Sequence, residues 1–412
     1  MRGRAIGAGL LCTLILGWAG AAIAAEAAAG ADWPQWLGIR RDGTSAEVPR
    51  ELPPKTLLWR VRMWGLAHAG PAVADGRVVV ADRDRNKDAI RCLSADRGRS
   101  LWTFSYDAPG KMDEGPGPRA TPLIHENLVY TLGAFGDLCC LDLAKGTLVW
   151  RRNLAKDFAA EVPKWGYSSC PLLADGKLIV NPGAQDASLV ALEPKTGKLI
   201  RQTPGKPAAY ASYIAATFRG VPQIVGYDRE SLGGWDPATG KRLWTIVPPN
   251  PGDYNVGTPV ALGDKLLVST EQNKTRLYAF AKGGASTPTQ VASNEDLALD
   301  MATPAVANGL LFGTRSGLTC FDAATLKTRW QDISSDEFDG FTMMIAGRDR
   351  VLALAENGVL FLLDADGQKL TVRGRMALCE KTWAHPALAQ GRLYVRDARR
   401  LYCYLLGESK PK

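Results

Sequence analysis

The sequence has few of the side chains that build most catalytic and metal centres. Only three histidines occur in 412 residues. His68, His125 and His385 are far apart, and no two stand at ligand spacing, which argues against a histidine-based metal site. There is no CxxC pair, no G-x-S-x-G, no P-loop and no HExxH, so the common hydrolase and nucleotide signatures are missing. The excess of positive charge is small, +8, and it is dispersed, so no basic patch points to nucleic acid. Hydrophobic residues at 46% exclude a mostly disordered chain. Beyond the first 25 residues no apolar run is long enough to cross a bilayer.

That first segment, MRGRAIGAGLLCTLILGWAGAAIAA, carries Arg2 and Arg4 and then no charge until Glu26. Its apolar stretch, Leu10 to Trp18, is too short to span, and Ala22 and Ala24 form an A-x-A site. It reads as a cleaved signal peptide over residues 1–25. Leu11 before Cys12 does not suit a lipoprotein signal, so no membrane anchor is expected. The mature chain is expected to be periplasmic or extracellular.

What the chain does have is a repeat. GPAVADGRVVV (Gly70–Val80) recurs as ATPLIHENLVY (Ala120–Tyr130), SCPLLADGKLIV (Ser169–Val180), GTPVALGDKLLV (Gly257–Val268), ATPAVANGLLF (Ala302–Phe312) and AHPALAQGRLYV (Ala384–Val395). Weaker copies, Ser212–Tyr227 and Phe341–Leu354, fill the gaps. Seven steps separate Pro71 from Pro386, a mean of about 45 residues, the length of a propeller blade. Each copy is an apolar strand, a turn with Gly, Asn or Asp, and a β-rich strand, which is a hairpin signature.

A second motif closes most units. Asp142-Gly146-Trp150 and Asp236-Gly240-Trp244 share the frame D-x3-G-x3-W, and Asp322-Leu326-Trp330 keeps its ends. Ser94-Gly98-Trp102 and Glu193-Gly197-Arg201 are variants. The acidic residue can cap turn amides and Gly accepts positive φ. The Trp then lies on the next strand, where its ring can pack on a neighbouring blade. Four strands per unit and eight units predict an all-β, eight-bladed propeller of antiparallel blades, one domain over 32–407 with repeats starting near 70, 120, 169, 213, 257, 302, 341 and 384. The last unit lacks a Trp strand, whereas TLLWRV with Trp59 precedes the first. Pairing the two would close the ring and protect an exposed edge, so Trp59, Trp102, Trp150, Trp244 and Trp330 are expected to be structural and the protein a monomer.

Cys92, Cys140, Cys320 and Cys403 share one repeat position in separate blades, so they should not pair with one another. With seven cysteines after residue 25, free buried thiols are expected. Cys139 and Cys140 are adjacent on a strand and should point to opposite faces. The run Asp82, Asp84, Asn86, Asp88 imitates the start of a calcium loop but lacks its sixth-position Gly and twelfth-position Glu. It is expected to be a solvated hairpin loop, with no metal site.

Residues just before the inner strands should gather at one end of the ring, the funnel mouth. They include Arg119, Trp165, Tyr167, Tyr210, Tyr213, Tyr254, Asn255, Trp383 and His385. Of these, Arg119, Trp165, Tyr167, Tyr210, Asn255, Trp383 and His385 are the candidate ligand- or partner-binding set. No nucleophile–base pair accompanies them, so no catalytic residue is assigned.

The repeats resemble the pyrroloquinoline-quinone (PQQ) repeat family of eight-bladed propellers, WDPATGKRLW (Trp235–Trp244) being the best copy. DWPQWLGIRRDGTS (Asp32–Ser45), KWGYSSCPLL and YNVGTPV resemble a secreted subgroup, similar to BamB-type propellers. The resemblance implies either of two functions. One is a non-catalytic exported scaffold that holds a peptide, protein domain or small polar ligand at the mouth, without cofactor. The other is a dehydrogenase oxidising an alcohol or sugar with PQQ and calcium. The second needs an aromatic floor, carboxylate and amide ligands and an Asp base. Inner-strand carboxylates are scarce, Asp300 and Asp339 being the main ones, and the scaffold is the reading preferred.

Overall fold

The computed structural model describes residues 32–407 apart from 300, 335 and 339. The segment 1–25, expected to be a signal peptide, and the carboxylates Asp300 and Asp339 fall outside the described residues. Thirty-two strands form eight four-stranded sheets, each strand antiparallel to its neighbours, arranged as an eight-bladed β-propeller. The inner strands are Ala72–Ala74, Leu123–His125, Leu172–Ala174, Ile214–Phe218, Val260–Leu262, Ala305–Ala307, Thr342–Ala346 and Ala387–Ala389. They follow the repeat starts closely and number blades one to eight. Among the described residues, no helix is long and apolar enough to cross a membrane.

The ring closes as the sequence predicted. Thr56–Arg62 is the outermost strand of blade eight and pairs with Arg400–Leu405, setting Trp59 opposite Cys403 and Arg60 opposite Tyr402. The same register recurs wherever the frame carries Cys and Trp. Cys92 faces Trp102, Cys140 faces Trp150 and Cys320 faces Trp330. The third-to-fourth strand pairing is interrupted by a register shift in all eight blades. An extra residue at that point bends and twists the outer strand.

Each such ring docks on the following blade. Trp102 Nε1 donates to Leu143 O at 2.8 Å, Trp150 Nε1 to Pro194 O at 2.8 Å and Trp330 Nε1 to Asp366 O at 2.7 Å. The frame's glycine is where the ring lands. Gly146 has φ 69°, and a Cβ there would lie 2.4 Å from the Trp102 ring. Arg201 performs the same task in blade three, donating to Pro237 O and Ala238 O. Trp244 differs: it is buried, but it donates to Gln223 of its own blade.

The apolar core lies between adjacent blades. Cys139 packs in the layer between blades one and two, and Cys140 in that between two and three. The seven described cysteines are free thiols. Burial pushes Cys139 and Cys140 up to about 12, so neither is a ready thiolate at neutral pH.

Two features depart from expectation. Asp82 and Asp88 are buried, not solvated. The second and third strands of blade one run on to Asp84 and from Lys87, which carries both carboxylates under neighbouring loops. There Asp82 pairs with Arg91 at 3.0 Å and Asp88 with Arg83 at 2.7 Å. Alternating acid and base in DRDRNKD looked like a wet loop because those partners come from the same hairpin.

The second feature is a plug. Asp32 accepts from Asp75 N and Gln390 Nε2, and Trp33 bridges Val73, all at the inner hairpins of blades one and eight. The chain then crosses to the ends where inner strands begin. Trp36 Nε1 donates to Thr258 Oγ1 at 3.1 Å, and Arg41 donates to Cys170 O and Pro171 O. It returns along Ala346 through Gly43 and Ser45, and Glu47 accepts from Gly391 N. Residues 32–47 therefore form a hairpin-like insert bonded to blades one, two, three, five, seven and eight.

Candidate binding site at the funnel mouth

The connections from each outer strand to the next inner strand, with the turns between second and third strands, build the mouth. Its floor is the apex of the plug, where Ile39 is 56% exposed between the anchored Trp36 and Arg41.

On one side of the mouth, three rings converge from blades three, four and five. Trp165 and Tyr254 meet edge to face at 4.5 Å, Trp165 and Tyr210 lie at 5.4 Å, and Tyr210 and Tyr254 at 6.5 Å. Tyr210 Oη accepts from Trp165 N, fixing the pair, and Lys164 Nζ stands 5.0 Å from the Trp165 ring. Tyr254 remains 39% exposed. This is a rigid aromatic surface with a cation at its rim, the composition that carries binding energy at interfaces.

On the other side, Trp383 stacks on His68 at 4.9 Å and meets Phe341 edge to face at 5.6 Å. Trp383 Nε1 donates to Glu356 Oε1 at 2.8 Å, and Lys381 pairs with the same carboxylate. Burial works against the charge on Glu356, but those bonds and Phe341 N outweigh it and hold the carboxyl below its usual range. Burial depresses His68 to about 4, although its bond to Glu114 O opposes the shift; the positive charges of Arg119 and Arg396 add to it. His68 is therefore neutral at pH 7.

The remaining predicted residues are differently placed. Arg119 is half-buried and donates to the carbonyls of Asp113, Gly115 and Gly117, so its guanidinium staples the loop that holds it. Tyr167 is 2% exposed and donates to Pro182 O at 2.9 Å. Asn255, at φ 52°, is 1% exposed and bonds Asp228 O and Arg229 O. His385 is buried beneath the plug, edge to face with Trp36 at 5.3 Å and stacked on Trp33 at 6.1 Å. These three are buried and already bonded or ring-packed within the fold, so they reach no ligand at the surface without rearrangement. Tyr213 is likewise buried, donating to Tyr227 O.

Sequence reasoning passed over Trp64 and Leu66, 48% and 41% exposed, in the link from blade eight to blade one. An unbroken reading of VRMWGLAHAGP as a mouth loop would have included them. Three buried carboxylates near the mouth are already engaged. Asp228 binds Arg242 and Ser231, Asp253 binds the amides of Gln272 and Asn273, and Asp397 binds Tyr402 and three backbone amides. Among the described residues no group of three or more His, Cys, Asp or Glu is placed to hold a metal ion.

Fold and repeat define a PQQ-repeat β-propeller. A family model described as "Outer membrane protein assembly factor BamB" matches residues 86–332, and the chain belongs to that family. Among curated proteins it is 24% identical over 373 residues to the quinoprotein alcohol dehydrogenase PedH of Pseudomonas putida, covering 80% of this chain and 59% of the relative. It is 23% identical over 388 residues to the quinohemoprotein alcohol dehydrogenase ADH-IIG of Pseudomonas putida, covering 82% and 52%. The chain thus spans little more than half the length of these dehydrogenases. It is also 22% identical over 329 residues to BamB of Moranella endobia, covering 77% and 67%. Among solved structures, BamB from Moraxella catarrhalis matches with a TM-score of 0.59 at 15% identity, over 85% of this chain and 99% of the other. Quinohemoprotein alcohol dehydrogenase from Comamonas testosteroni matches with a TM-score of 0.62 at 15% identity, over 95% and 83%.

Proposed function

We propose that this chain is an exported, non-catalytic propeller that holds a protein or peptide partner at its funnel mouth. The observation that carries the reading is the Trp165–Tyr210–Tyr254 cluster, rigid and partly exposed beside Lys164. Kinship with an outer membrane protein assembly factor agrees with it, as does the charged-then-apolar N-terminal segment. A photocrosslinking residue in place of Tyr254, on the full chain in its cell envelope, tests it. A discrete crosslinked protein that is lost when Trp165 is replaced by Ala supports the reading. Crosslinks no richer than those from an exposed position on an outer strand count against it.

The identity with PedH over 80% of the chain keeps one alternative, a quinoprotein dehydrogenase oxidising an alcohol or sugar with PQQ and calcium. The donor set of the described residues does not fit that group. Asp228, Asp253, Glu356 and Asp397 are taken up by Arg, Lys and amide donors, and the plug, through Trp36 and Arg41, bonds to blades five and three. A calcium site needs several open oxygen donors. No catalytic step is derived. Calcium-dependent dye reduction with alcohol and stoichiometric PQQ would favour the alternative.

A further inference from the structure

The turn from third to fourth strand lies at the end of the ring opposite the mouth, because neighbouring strands alternate in direction. Just before the frame's Trp position, four consecutive blades leave an aliphatic side chain in solvent at that end. These are Leu58 in blade eight, Leu101 in blade one, Val149 in blade two and, ahead of Arg201, Ile200 in blade three. Leu57, Leu148 and Leu199 precede three of them, and all seven are 38–49% exposed. The run stops at blade four, where Leu243 is half-buried. Blades six and seven have Arg329 and Arg373 there, ion-paired to Asp322 and Asp364, so exposed Val291 in blade five stands alone.

Cations accompany the run. The turns 94–99, 142–147 and 193–198 carry Arg97, Arg99, Lys145, Lys195 and Lys198, all exposed, against Asp96, Asp142 and Glu193, so five minus three leaves +2. Asp142 and Glu193 are turned back onto the amides of Lys145 and Lys195. Blade eight, which has no such turn, adds exposed Arg60 beside Trp59. At the mouth end, by contrast, the links into blades six and seven carry Glu295, Asp296, Asp332 and Asp336.

Two basic rims repel each other, which disfavours a second copy as the occupant. Leu, Val and Ile beside Lys are also poor anchors for a protein, whose interfaces rely on Trp, Tyr and Arg and are depleted in Lys. They suit an anionic lipid surface, which takes shallow aliphatic groups and attracts each cation. The four strand starts lie at one level of the ring, so a flat surface can meet them together. We propose that this half-rim docks the ring on an anionic membrane surface, with the mouth turned away from the lipid. Docking by the rim does not depend on what the mouth holds.

Flotation of the chain as secreted tests this, with vesicles of phosphatidylglycerol and phosphatidylethanolamine in equal parts or of phosphatidylcholine alone. Binding should be at least about tenfold tighter on the anionic vesicles and should fall at high salt, which screens these exposed charges. Replacing Lys145, Lys195 and Lys198 together by Gln should weaken it about tenfold or more. Leu148→Ser with Leu199→Ser should weaken it about fivefold or more, through lost apolar burial. These side chains are exposed, so melting temperatures should hold in both variants. Lys241→Gln, Lys327→Gln and Lys369→Gln together remove the same charge from exposed positions in blades four, six and seven, and should change affinity less than about twofold. Equal binding to neutral vesicles, no binding to either, or equal losses in the two lysine triples would overturn the proposal. So would a dimer in sedimentation that the serine variant converts to monomer, which would assign the rim to a second copy. Flotation without a partner crosslinked at Tyr254 keeps the rim and removes the mouth reading, and the converse removes only the rim.

Discussion

The indole N–H of Trp59, in the last blade, donates at 3.0 Å to the carbonyl of Ala95, in the first, and its ring lies on Gly98. One side chain thus spans the seam where the ends of the chain meet. Gly98 has φ 65°, and a Cβ there would lie 2.6 Å from the Trp59 ring. Ring and glycine form a single joint.

Breaking that joint from either side should therefore cost stability. Trp59→Ala removes a ring that is 8% exposed and should lower stability by about 3–5 kcal/mol. Gly98→Ala should also destabilise, through its positive φ and the clash. In the double variant the costs should fall short of their sum, because the clash disappears with the ring. Strictly additive losses in chemical denaturation would show that ring and glycine act separately.

The pattern across blades explains an exception in the frame. Blade five has no Trp on its outer strand Thr289–Asn294, and blade six, which follows it, has Leu326 where the frame has Gly. Leu326 adopts φ 57° and is buried. Where no ring arrives, the turn needs no glycine and a side chain fills the space. The hairpins, the Trp frame and the closing strand were legible in sequence because each repeats one local pattern at a fixed interval. The plug was not, since WPQWLGIRRDGT carries no periodicity and Trp36 finds Thr258 222 positions away. The burial of three of the seven candidate mouth residues was not legible for a related reason. Position before an inner strand gives the end of the ring but not the direction of the side chain, and Tyr167, Asn255 and His385 turn inward.

Plug and closing strand should be separable by deletion. Starting the chain at residue 49 removes the insert but keeps Thr56–Arg62 on blade eight, so the ring should stay monomeric with a lower melting temperature. Starting at residue 63 removes the closing strand as well and exposes the edge of Arg400–Leu405, which should promote association. Size-exclusion chromatography distinguishes the two. A monomeric second deletion with the melting temperature of the first would refute closure by this strand.

Buried histidine makes the fold acid-sensitive in a defined window. Burial lowers His385 from the ordinary 6.5 to about 4, although bonds to Pro386 O and Met344 O oppose the shift. As pH falls below 6.5, the unfolded chain takes up this proton first. The stability His385 contributes is thus full above about 6.5 and is lost as pH falls to about 4, to the extent of about 3 kcal/mol. His68, depressed in the same direction to about 4, adds to the slope. Melting temperatures between pH 8 and 4 should fall more steeply in the native chain than in His385→Leu. Equal slopes would mean that His385 titrates normally.

The aromatic face at the mouth should be separable from the fold. Tyr254 is 39% exposed and belongs to no frame position, so Tyr254→Ala should change stability by no more than about 0.5 kcal/mol. Trp165 is partly buried and its ring touches only Tyr210 and Tyr254 among the aromatic contacts, so its loss should also leave the ring closed. Both variants should weaken capture of an envelope partner by about tenfold or more, the range typical of a central aromatic anchor. Leu101→Ala, 49% exposed near the start of an outer strand, serves as the control and should leave capture unchanged. Native capture by Tyr254→Ala and Trp165→Ala together would move the interface off this cluster. Loss of capture with an unchanged melting temperature would locate it there, because a structural role could not lose binding while keeping stability.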